Sequence, residues 1–180
     1  ASDVYKRQTY KYLFRLFDGE YVEAVVMMHD YGTSICVSSQ VGCNMGCRFC
    51  ESGRIKKIRN LETYEMVEQI LVIERDLGIR LSSVVIMGIG EPLDNYENII
   101  RFIEIINDGK GIQIGARHIT LSTCGLVPKI YELAKLSIQI NLAISFHAPT
   151  DELRNQLMPV NKVYSISVLI QAIRDYLQVT

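Results

Sequence analysis

Three cysteines in the run Gly-Cys-Asn-Met-Gly-Cys-Arg-Phe-Cys, at Cys43, Cys47 and Cys50, carry most of the chemical information in this chain. Their spacing is C-x3-C-x2-C, and no fourth cysteine or histidine stands nearby. Structural zinc is closed by four ligands, usually built from C-x2-C pairs. Three thiolates on one short loop suit instead a cubane iron–sulfur cluster with one iron left open. An open iron can bind a substrate, which makes such a cluster a site of chemistry. A zinc site and buried unpaired thiols are the alternatives that ligand count leaves open.

The surrounding pattern supplies a scaffold. Tyr10–Phe17 and Tyr21–His29 read as strands joined at Asp18-Gly19, a hairpin signal. A third strand, Ser34–Ser38, leads into the cysteine loop. Strands and helices then alternate. Thr63 can cap a helix carrying Met66, Ile70 and Ile73; Ser83–Met87 is a strand; Asn95 caps a helix with Ile99, Phe102, Ile103 and Ile106 at helical spacing. His118–Ser122 is a strand, Pro128–Leu136 a helix opened by proline, Ile138–His147 a strand, and Asp151–Leu157 and Ser165–Gln178 are helical. Such alternation means βα units and a parallel sheet. Four such strands cannot close an eight-stranded barrel, which needs about 250 residues.

In parallel βα barrels the active site gathers at the C-terminal strand ends. The cysteine loop, Gly90-Glu91, Ser122, and Ser145 with His147 all fall at such ends. Gly88 and Gly90 let backbone approach a ligand, and Glu91 is an acceptor suited to an ammonium group. In the last strand Ile138, Ile140, Leu142, Ile144 and Phe146 share one face, and Gln139, Asn141, Ala143, Ser145 and His147 the other. Thr120 and Ser122 likewise face together. Apolar outward and polar inward describes a lumen for a polar ligand. Taken alone, Cys36 reads as a small buried hydrophobe, Glu23 as an edge-strand charge, and Cys124 as structural. Arg48, Arg54, Lys56, Lys57 and Arg59 surround the cysteine loop; a solvated loop is the default reading and phosphate contact the alternative.

Composition excludes little else. The 180 residues are 48% hydrophobic and 22% charged with net charge −1, an ordinary globular balance without a global nucleic-acid signal. No apolar run approaches a membrane span. Five cysteines, clustered and odd in number, argue for a reducing compartment over a disulfide framework. Residues 1–8 read as a non-native leader, and a helix running to Thr180 without a closing signal reads as part of a longer protein.

Five motifs occur in order: Cys-Val-Ser-Ser-Gln-Val-Gly-Cys (Cys36 to Cys43), Met-Gly-Ile-Gly-Glu-Pro-Leu (Met87 to Leu93), Leu-Ser-Thr-Cys-Gly (Leu121 to Gly125), Ser-Phe-His-Ala-Pro (Ser145 to Pro149) and Met-Pro-Val-Asn-Lys (Met158 to Lys162). With Phe49 before the last cluster cysteine, the chain resembles the radical SAM superfamily and, from about Glu23 onward, its RlmN/Cfr family of RNA adenine methyltransferases. The resemblance implies an α/β fold, a partial (β/α) barrel truncated to about four βα units, two short of the usual six. Residues 9–33 form an N-terminal β-hairpin and 34–180 an incomplete radical SAM core. It implies a [4Fe–4S] cluster on Cys43, Cys47 and Cys50, and S-adenosyl-L-methionine (SAM) at Gly90, Glu91, Ser122, Ser145, Phe146 and His147.

The implied reaction begins when the reduced cluster cleaves SAM to a 5′-deoxyadenosyl radical. That radical takes hydrogen from a methyl group previously placed on a C-terminal cysteine, and the carbon radical adds to an adenine ring carbon. Cys36 takes the C2 proton and resolves the protein–RNA crosslink, a role suited to a thiol ionising near neutrality, and Glu23 matches an acidic proton acceptor. The implied substrates are an adenosine of 23S rRNA and adenosine 37 of tRNA, with an electron donor such as flavodoxin or ferredoxin, in a cytoplasmic monomer. Gly-Glu-Pro-Leu from Gly90 to Leu93 matches the C2-methylating branch; the C8 branch commonly has Ala for Pro92. The methyl-carrying cysteine and a late SAM-contacting asparagine lie beyond Thr180 in the family, so these residues alone are not expected to turn over. The other readings are C8 methylation, a radical SAM enzyme acting on a small molecule or peptide, and a non-catalytic iron–sulfur protein. The polar lumen argues against the last.

Overall fold

The computed structural model describes residues 9–180, and the suggested leader at 1–8 lies outside the described residues. Strands β1 (Thr9–Arg15) and β2 (Tyr21–His29) pair antiparallel, and β2 pairs antiparallel with β3 (Gly32–Cys36). The hairpin is therefore the outer part of one sheet. Beyond β3 come two features of the cysteine loop, strands β4 (Gln40–Val41) and β5 (Arg59–Asn60), which pair only with each other. Helix α1 (Thr63–Leu77) follows, then β6 (Ser83–Ile86), α2 (Tyr96–Asn107), β7 (Ile119–Thr123), α3 (Val127–Leu133), β8 (Asn141–Ile144), α4 (Asp151–Leu157) and α5 (Ile166–Val179). The six-stranded sheet runs β1-β2-β3-β6-β7-β8, with β3, β6, β7 and β8 mutually parallel. This is the expected set of four βα units behind an N-terminal hairpin.

Register divides the sheet into two faces. Ile35, Val84 and Ile119 are paired neighbours, as are Ile86, Leu121 and Leu142. They bury against Met66, Ile70 and Ile73 of α1, Phe102 and Ile103 of α2, and Leu169 of α5. Fully burying such side chains contributes about 1.5–3 kcal/mol each relative to exposure. The opposite face therefore presents Cys36, Val85, Thr120 and Ser122, one residue out of phase. Among the described residues no helix is long and apolar enough to cross a membrane.

Local chemistry moves several boundaries. Helix α1 is capped by Glu62, whose carboxylate forms a reciprocal capping box with Glu65. Thr63 is the first helical residue and donates its hydroxyl to Asn98. Asn95 precedes α2, but its side chain does not cap; its amide donates to the carbonyls of Ser39 (2.9 Å) and Leu61 (2.8 Å). The expected strand 138–147 is regular only over Asn141–Ile144. His147 adopts a left-handed φ of +55°, which ends extended backbone.

Candidate active site

Four strand ends build the site. After β3, Val37 to Gln40 run alongside the turn that follows β6, where Ser39 and Gln40 amides both donate to the Ile89 carbonyl (2.9 and 3.1 Å). Gln40 locks the two segments together: its Oε1 accepts from the Glu91 amide (2.9 Å), and its Nε2 donates to Asn60 and Asp94. Gly90, at φ +110°, lies so close that a Cβ would stand 2.6 Å from Gln40 Cβ. Two motifs separated by about fifty residues are thus one physical unit.

The cysteine loop leaves β4 at Gly42, whose φ is +75°; a Cβ there would collide with the carbonyl oxygens of Lys56 and Ile55. The Cys43 amide donates to Ile55 O (2.9 Å), the Cys50 amide to Cys47 O (3.1 Å), and the Arg48 amide to Leu157 O (2.9 Å). The loop is thus pinned to its own return arm and to the end of α4. All three cysteines are free thiols lining one cavity of about 130 Å³, together with Gly90, Glu91, Ser122 and Ser145. Burial first, then neighbouring Cys43 and Cys50, push the Cys47 thiol up to about 11. Among the described residues no three such side chains stand in ligand geometry already. The donor set fits an iron–sulfur cluster: three crowded thiols of one loop, which a cation would relieve.

Glu91 is 3% exposed. Its Oε1 accepts from the Leu93 amide (3.0 Å) and its Oε2 from the Cys124 amide (2.8 Å). Burial pushes its carboxyl up, while those amides oppose the shift. The Thr123 hydroxyl and the Cys124 thiol also lie against this carboxylate. Ser122 and Ser145 reach the cavity as the period-two pattern requires, and the Ser145 amide donates to Thr123 O (2.9 Å). Phe146 turns the other way and packs on the main apolar cluster. His147 stands outside the cavity lining, its ring 4.4 Å from that of Phe49, which joins the cysteine loop to the end of β8.

Cys36 and Glu23 line an adjoining cavity of about 240 Å³, which shares Cys50, Met87 and Gly88 with the first. Cys36 pairs with Val25, two residues from Glu23 on the same face of β2. Burial pushes the Cys36 thiol up, away from ionisation near neutrality. Glu23 pairs with Lys11 (2.6 Å). Of the five basic residues around the loop, Lys57 binds Asp94, Arg54 binds Glu51, and Arg59 forks onto Glu65 while reaching Asp18. Arg48 and Lys56 remain exposed without carboxylate partners among the described residues. Sequence reading missed Gln40, Asn95, Met158 and Arg154, although Gln40 and Met158 stand inside motifs quoted above.

Residues 37–179 match the model of the radical SAM superfamily. The chain belongs to the radical SAM superfamily. Membership brings a [4Fe–4S] cluster and SAM as cofactors; the thiol triplet offers the cluster its ligands, and Glu91, Ser122 and Ser145 are the polar groups of a mostly apolar cavity beside it. The chain is 56% identical over 178 residues to a probable dual-specificity RNA methyltransferase RlmN of Spiroplasma citri, covering 97% of this chain and 52% of that protein. It is 55% identical to the protein of the same name from Acholeplasma laidlawii, with 96% and 51% covered. A crystal structure of a radical SAM methyltransferase from Sphaerobacter thermophilus superimposes with a TM-score of 0.92 at 45% identity, covering 96% of this chain and 52% of that one. The chain spans about half the length of the curated relatives it matches.

Proposed function

We propose that the whole protein methylates C2 of an adenosine in 23S rRNA, and adenosine 37 of tRNA, through a methyl-cysteine carried by its C-terminal part. The observation that supports this most is the pair of adjoining cavities, one lined by Cys43, Cys47 and Cys50 with Glu91, the other by Cys36 and Glu23. A radical SAM protein that only stored electrons needs no second cavity with a thiol and a carboxylate.

Bound to the three thiolates, the cluster supplies the electron that cleaves SAM. The chain's own residues do the rest. Glu91, fixed by two amides, receives the methionyl ammonium; Ser122 and Ser145 offer hydroxyls to its polar groups; Gly90 lets backbone approach. Phe146 and His147 act from behind the wall, Phe146 anchoring the end of β8 in the apolar core and His147 backing Phe49 of the cysteine loop. Cys36 and Glu23 handle the proton at C2 and the release of the crosslink. Exposed Arg48 and Lys56 contact phosphate. Residues 34–180 are the core of this activity and 9–33 a hairpin that brings Glu23 to it. The protein acts in the cytoplasm as a monomer, supplied with electrons by a flavodoxin or ferredoxin.

Nucleoside analysis of 23S rRNA incubated anaerobically with the whole protein, SAM and a reductant tests this. The expected product is 2-methyladenosine. Finding 8-methyladenosine instead would assign the C8 branch, and no methylated adenosine would reject the reading.

A further inference from the structure

Arg154 is the largest side chain to be fully buried, at 1% exposure. Among the described residues no carboxylate stands within ion-pair distance of it. Its donors go to uncharged oxygens: Nη2 to Cys124 O (2.8 Å) and Ser145 O (3.2 Å), Nε to Phe146 O (3.1 Å), and Nη1 to Asn161 Oδ1 (2.8 Å). Asn161 is held in turn by Asp151 and Asn155, so the nearest carboxylate in this chain of bonds is one residue removed. A cation taken from water without a contacting anion is costly, and a well-packed apolar side chain would stabilise the same space better. The position therefore calls for what a guanidinium alone supplies, a planar fork reaching several oxygens at once.

What it reaches is specific. Three of its acceptors are backbone carbonyls at the C-terminal ends of β7 and β8, the ends that carry Ser122 and Ser145 to the cysteine cavity. On the other side of the same residue, the Cys124 amide donates to Glu91 Oε2 at 2.8 Å. Cys124 thus stands between a buried carboxylate on its N–H and a buried guanidinium on its C=O. Neither charge has a direct opposite partner among the described residues. The two compensate through one residue's backbone.

We propose that Arg154 is a positioning residue of the cofactor cavity: it fixes the ends of β7 and β8 and, through Cys124, the carboxylate of Glu91 against SAM. The proposal rests on the radical SAM reading above. Its test uses the whole protein after anaerobic reconstitution, with iron content and SAM binding of the unaltered protein measured first, so that failure of that reading is seen separately. Arg154→Met is expected to keep its iron but bind SAM at least about tenfold more weakly, the scale of one charge-assisted hydrogen bond lost when Glu91 is no longer held in place. The change that SAM makes in the electron paramagnetic resonance (EPR) spectrum of the reduced cluster should be lost with it. Arg154→Lys should recover part of the affinity, since it restores charge but not the fork. Asn161→Ala, which frees one edge of the fork, should weaken SAM about threefold, the loss of one hydrogen bond. If Arg154→Met does not fold, the Lys and Ala variants decide the matter by the same two readouts. A folded, iron-loaded variant with a lowered melting temperature but unchanged SAM affinity and spectrum would overturn the proposal and leave Arg154 a structural residue.

Discussion

Replacing Cys43, Cys47 or Cys50 by alanine is expected to reduce bound iron from about four atoms per chain to almost none after anaerobic reconstitution. The loss should be nearly complete for each single variant, because two thiolates cannot hold a cubane that already has one open iron. Fold stability should change little by comparison: the loop is pinned by backbone bonds at Cys43, Arg48, Cys50 and Gly53, none of which needs a sulfur. Iron and sulfide assays with circular dichroism on the same samples separate the two effects. Iron retained near the unaltered level in any one variant would remove that cysteine from the ligand set.

The second large effect belongs to Cys36. Cys36→Ala in the whole protein is expected to lower the yield of 2-methyladenosine by on the order of a hundredfold or more, the usual scale for a group that moves a proton. The thiol lines the Glu23 cavity rather than the main core, so the fold should survive the change. In the proposed reaction release follows carbon–carbon bond formation, so the stalled species should be protein covalently joined to RNA. Mass spectrometry of the variant incubated with RNA detects that adduct. Normal yields of methylated adenosine and no adduct would reduce Cys36 to a packing residue.

The elements that position these cysteines followed from periodicity, and the exceptions have physical causes. The two-faced pattern from Ile138 to His147 held because pairing across parallel strands preserves side-chain parity: Ser145 reached the cavity and Phe146 the core. Its length did not hold, because the left-handed turn at His147 is a tertiary choice that propensity does not foresee. The ribbon of β4 and β5 is two residues per strand, too short for any alternation to register, yet it closes the cysteine loop. Thr63 looked like a cap, but Glu62 and Glu65 form a reciprocal box that satisfies the same amides. Arg154, on a helix whose sequence is mostly polar, drew no notice; the convergence of two strand ends beneath it makes it internal. For Cys36, position was readable but protonation was not, since burial decides it. Three of the five basic residues near the loop proved committed to carboxylates that lie up to 41 residues away in sequence.

We propose that Cys43, Cys47 and Cys50 would hold the cluster and Glu91 the SAM beside it. EPR of the reduced, reconstituted whole protein, recorded with and without SAM, tests it most directly. A [4Fe–4S]⁺ signal whose shape changes when SAM is added is expected, since three cysteines would leave one iron open to it. A signal identical in the presence and absence of saturating SAM, or stoichiometric zinc with no iron signal at all, would contradict it.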